Sequence, residues 1–64
     1  MGKEEMLSFT GTVKAVGDEA MLMTIDGVTG WVPFSRIDWL QEPIVGSEIE
    51  VLIPEWLAER KGFL

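Results

Sequence analysis

Hydrophobic and polar residues alternate along most of this chain, and the alternation changes phase at a few positions that divide it into elements. Leu7, Phe9, Gly11 and Val13 alternate with Ser8, Thr10, Thr12 and Lys14, the pattern of a half-buried strand. Gly11 inside that run predicts a bend or a close backbone approach. Val16 falls out of step with Val13, which predicts a bulge between them. After the polar turn Gly17-Asp18-Glu19, residues Ala20 to Ile25 form a second strand. Met21, Met23 and Ile25 share one face, and Ala20, Leu22 and Thr24 share the other. Asp26-Gly27 then predicts a two-residue hairpin, because a type I′ turn needs positive φ at both positions.

The third strand is expected from Thr29 to Phe34, with Val32 and Phe34 on one face and Trp31 and Pro33 on the other. Pro33 has no N–H to give to a ladder, so this strand is an edge or ends there. Ser35 to Gly46 reads as a loop holding a short helical turn at Arg36 to Leu40, and its last residues include the turn formers Pro43 and Gly46. Ser47 to Ile53 is the fourth strand, with Ile49, Val51 and Ile53 inward and Glu48, Glu50 and Leu52 outward. Pro54 stops it. Glu55 to Lys61 is expected as a helix: an acid in the first turn, Arg60 and Lys61 in the last, and Gly62 at the C′ position. Trp56, Leu57 and Phe63 would cover an open end of the barrel. Residues 1–5, mostly charged, are expected to fray.

At 64 residues the chain is expected to be one small domain near the lower limit of independent folding. With 47% hydrophobic residues it can build one core with little margin, so a dimer contact through the Pro33 edge or the helix would help. There is no Cys, which excludes a disulfide framework and a thiolate zinc site. There is no His, which removes the commonest general base and the commonest metal ligand. Acidic residues outnumber basic ones 11 to 5, for a net charge of −6, so the basic footprint usual in nucleic-acid binding is missing. The charged start has no apolar run, no signal peptide is expected, and no apolar stretch approaches the roughly 20 residues needed to span a bilayer. The expectation is a cytoplasmic, soluble protein.

Several stretches together resemble a known pattern. Phe9-Thr10-Gly11-Thr12-Val13-Lys14-Ala15-Val16 is followed by Met23-Thr24-Ile25, Gly30-Trp31-Val32-Pro33-Phe34-Ser35 and Val45-Gly46-Ser47-Glu48-Ile49-Glu50-Val51. In spacing this is similar to the S-one type RNA-binding domain over about residues 7–53. The resemblance implies an OB-type β-barrel that binds single-stranded RNA or DNA on the outer face of its second and third strands. That family stacks bases on aromatic and His side chains there. The matching positions here are Leu22 and Pro33, while Trp31 stands on the same face at a position the family fills with an aliphatic residue. The loop from Ser35 to Gly46 is short for the family. A helix containing Trp56 also stands where a closing fifth strand would be, so an SH3-like barrel competes as the topology. The Trp-Val-Pro-x-Ser and Pro-Glu-Trp-Leu-Ala-x-x-Lys-Gly stretches also look like short phage and plasmid proteins.

The candidate nucleic-acid site is therefore Leu22, Trp31 and Pro33 for stacking, with Lys14 and Arg36 for phosphates. The opposing reading buries Trp31 against the C-terminal helix, paired with Trp56, as a small core would favour. The acids Glu48, Glu50, Glu55 and Glu59, with Asp18, Glu19 and Asp26 at hairpin tips, read first as a solvated surface. In a second reading they imitate a phosphate row and occupy a basic groove on another protein. No Asp-x-Asp-x-Asp cluster suggests a metal site. Trp39 in Asp38-Trp39-Leu40 reads as a lid over the barrel base, or else as an anchor for a partner. Ser8, Ser35 and Ser47 lack an accompanying nucleophile signature, so no catalytic residue and no cofactor is expected. Two functional expectations result: a single-stranded nucleic-acid binder, or an acidic protein-binding module such as an inhibitor or adaptor of a nucleic-acid enzyme.

Overall fold

The computed structural model describes residues 5–64. It contains β1 (Met6–Val16), β2 (Ala20–Ile25), β3 (Val28–Pro33), a 3-10 turn (Phe34–Arg36), β4 (Asp38–Trp39), β5 (Glu48–Pro54) and α1 (Glu55–Lys61). The strands form one antiparallel sheet in the order β3-β2-β1-β5-β4. Of the N-terminal stretch expected to fray, residues 1–4 lie outside the described residues. Glu5 is tied in, its carbonyl accepting the Glu55 N–H at 2.8 Å.

β1 is the spine of the sheet because two partners share it. Met6 to Thr12 pairs with β5, and Thr12 to Val16 pairs with β2. Gly11 lies where the two halves meet, and the backbone of β2 comes so close that a Cβ there would lie 2.7 Å from the Thr24 carbonyl oxygen. The bulge falls between Val13 and Ala15, where the register shifts so that Ala15 pairs with Leu22. Asp26 (φ 53°) and Gly27 (φ 84°) supply the two positive-φ residues of the hairpin turn.

One face of the sheet carries the core. Val13, Met21, Met23, Ile25, Val32, Ile49, Val51 and Ile53 are buried on it, as their alternation requires. α1 crosses the same face and buries Leu57 and Ala58. Gly62 (φ 86°) ends the helix and its N–H donates to the Glu59 carbonyl, while the Phe63 N–H donates to Ala58. Phe63 then turns inward, 3.5 Å from a Cβ placed on Gly30, with its ring centroid 6.4 Å from that of Phe9.

The sheet does not close into a barrel, contrary to the expectation from the sequence. β3 and β4 remain its two edges. The physical reason lies in the elements themselves. β3 ends at Pro33, β4 is two residues long, and Pro54 leads into a helix rather than a closing strand. α1 and Phe63 cover the apolar face that closure would otherwise cover. The turn expected at Arg36 to Leu40 comes earlier, at Phe34–Arg36, and Asp38 and Trp39 instead pair with Leu52 and Val51. No helix among the described residues is long and apolar enough to cross a membrane.

Candidate nucleic-acid interface

The face of the sheet opposite α1 carries Leu22, Trp31 and Pro33 of the five predicted residues. β2 and β3 are joined by a tight hairpin, so their pairing is continuous: Leu22 lies directly across from Trp31, and Ala20 across from Pro33. The bulge in β1 brings Ala15 opposite Leu22. The result is an apolar rung of Ala15, Leu22 and Trp31 with Pro33 beside it. Leu22 and Pro33 are half-buried and Trp31 is 46% exposed. The indole reaches over β2 toward the first turn: a Cβ placed on Gly17 would lie 3.8 Å from Trp31 Cζ3.

The alternative placement of Trp31 against the helix does not occur. Its neighbours Gly30 and Val32 face the core, Phe63 and Lys61 lie over Gly30, and Trp31 points the other way. Trp56 is on the solvent side of α1, 42% exposed, with the Arg60 guanidinium 6.0 Å from its ring centroid. The two tryptophans are therefore on opposite sides of the sheet.

The cations sit at the margins. Lys14 occupies the bulge itself, immediately before Ala15, and is exposed. Arg36 ends the 3-10 turn three residues beyond Pro33 and is exposed. Asp18 and Glu19 occupy the turn that follows Gly17, so the charge around the indole is mixed. Sequence reading missed Ala15 and Gly17 as part of this patch. The signal was present in the phase break between Val13 and Val16, which carries Ala15 onto the outer face.

Beyond the apolar rung the outer face carries hydroxyl and acidic side chains around Leu52, which lies across from Ser8. Thr24 Oγ1 and Thr29 Oγ1 are 2.7 Å apart. Ser8 Oγ donates to Glu50 Oε2 at 2.5 Å, and the Glu50 N–H donates to Gln41 Oε1 at 2.9 Å. Among the described residues no group of acids is placed to hold a metal ion, and no pocket opens. Trp39 pairs with Val51 at the β4 edge, and its ring meets Phe34 at 5.0 Å between centroids, 57° apart in plane. It is 40% exposed. Leu40, Ile44 and Val45, in the loop that follows, are more exposed still.

No family model matches this chain, and no curated protein or solved structure was found to be similar to it.

Proposed function

We propose that this chain is a non-enzymatic binding module that takes single-stranded nucleic acid, RNA or DNA, on its outer sheet face. The observation that carries this reading is the exposed indole of Trp31 lying beside Leu22 and Pro33 on the outer face. Stacking a base on an aromatic ring contributes about 1–3 kcal/mol and tolerates any sequence, because every base has a π-face. In this reading Lys14, next to Ala15 in the bulge, and Arg36, three residues beyond Pro33, supply the phosphate contacts; both are exposed. With Asp18 and Glu19 close by, affinity comes mainly from stacking and only modestly from charge. Small OB-type domains such as cold-shock domains combine an acidic total with a stacking face in the same way.

The S-one type assignment belongs to this proposal. Its support is the long β1 strand paired antiparallel with both β2 and β5, beside the spacing of the sequence stretches. Replacing Trp31 with Ala tests the site. Loss of oligonucleotide binding with an unchanged circular dichroism spectrum supports it; unchanged affinity rejects it.

A second reading, a protein-binding module, draws on a different observation. Leu40, Ile44 and Val45 are about 60% exposed within one loop, on a chain of net charge −6. Exposed apolar clusters on small proteins mark interaction surfaces. This reading expects oligonucleotide affinity to be absent even at low salt.

A further inference from the structure

β3 is the one edge of the sheet, among the described residues, long enough to template another strand. The opposite edge, β4, has two residues. Natural sheets blunt long edges with charged side chains, proline, bulges or covering segments. From Val28 to Val32 there is no charged residue and no bulge, and Pro33 comes only at the end.

The hairpin determines which backbone groups of β3 are free. In a two-residue type I′ turn the flanking residues, here Ile25 and Val28, exchange hydrogen bonds. Alternation then directs the N–H and C=O groups of Gly30 and Val32 toward β2 and those of Thr29 and Trp31 away from it. The Phe34 N–H donating to the Glu19 carbonyl at 2.9 Å keeps the same phase. No backbone group of a described residue pairs with the outward groups of Thr29 and Trp31.

We propose that a second copy of this chain pairs antiparallel along this edge, about a two-fold axis at Gly30. Thr29 of each copy then faces Trp31 of the other, and each such pair exchanges both N–H···O bonds. The edge is self-complementary, as an isologous contact must be. The register that sets Trp31 against its own copy leaves Thr29 opposite Pro33, which has no N–H to give. Gly30 is also the residue suited to the axis. Facing residues that are not hydrogen-bonded approach to roughly 4.5 Å between Cα atoms. With no side chain, Gly30 adds nothing at the axis; a Cβ there would lie in ordinary contact, 3.5 Å from Phe63 Cζ and 3.8 Å from Lys61 Cδ, on the core face. The outer faces of both copies become one continuous surface carrying both Trp31 indoles. This inference rests on the backbone of the edge and is independent of any ligand.

Sedimentation equilibrium on the full chain over a wide concentration range tests it. Two variants accompany the wild type: Thr29→Lys, and a chemically synthesised chain whose Trp31 amide nitrogen carries a methyl group. The wild type should pass from monomer to dimer as concentration rises. Added salt should strengthen the dimer, because it screens repulsion between two chains of net charge −6. Both variants should keep the wild-type circular dichroism spectrum and remain monomeric. A wild type that stays monomeric throughout overturns the proposal, and so does an N-methylated chain that dimerises as well as the wild type.

Discussion

A Cβ placed on Gly11 would lie 2.6 Å from Cγ1 of Ile25, closer than any side chain tolerates. Gly11 thus precedes Thr12, the residue shared by both pairings of β1, and Ile25 packs against it. Gly11→Ala should destabilise the fold by about 1–3 kcal/mol, the usual cost of overpacking. The obstruction includes the Thr24 backbone carbonyl, which cannot rotate away. Gly46→Ala is the control for backbone strain alone: φ is 92° with open space around the added methyl. It should cost about 1–2 kcal/mol, the usual penalty for a left-handed L-residue. Urea unfolding midpoints compare the two, and a Gly11→Ala chain as stable as wild type would contradict the close approach of β2 to Gly11.

Phe63 closes the core from the end of the helix, beside Phe9 and over Gly30, and only 7% of it is exposed. Phe63→Ala should cost about 3–5 kcal/mol, as large-to-small changes of buried aromatic residues do. That is most of what so small a core supplies, so the variant should be largely unfolded by mild denaturant. Leu64, the next residue, is 60% exposed, and Leu64→Ala should stay within about 0.5 kcal/mol of wild type. Equal effects at the two positions in chemical denaturation would contradict this packing of the C-terminus.

Much of this arrangement was legible in the residues, because local chemistry governs most of the elements. The β2 strand, the Asp26-Gly27 hairpin, the bulge after Val13 and the helix from Glu55 to Lys61 each follow from alternation, positive-φ turn residues or end signals. Trp31, Leu22 and Pro33 share an outer face because strand parity placed them there. Closure of the sheet was not legible. It depends on whether two distant edges meet, and no local pattern encodes that. The exposure of Trp31 was equally hidden, since it turns on which face α1 crosses. Two-residue β4 carries too little pattern to be read as a strand; Asp38 and Trp39 are held by pairing with Leu52 and Val51.

Salt dependence tests the phosphate contacts of the proposed nucleic-acid reading. Each phosphate contact on a single strand contributes a slope of about −0.7 in log affinity against log salt. With Lys14 and Arg36 both engaged the slope should be about −1.4, which is shallow for a nucleic-acid binder. Lys14→Gln and Arg36→Gln should each flatten it by about 0.7 and leave the fold unchanged, since both side chains are exposed. A steep slope, or one that neither variant alters, would place the phosphates elsewhere.

The most direct measurement is fluorescence of Trp31 itself, read in a chain carrying Trp39→Phe and Trp56→Phe so that the other two exposed indoles are silent. This chain is titrated at low salt with mixed-sequence single-stranded RNA and DNA. A stacking face requires quenching that saturates and weakens as salt is raised. A flat titration at low salt, with the fold intact by circular dichroism, contradicts nucleic-acid binding at this face and leaves the protein-binding reading in its place.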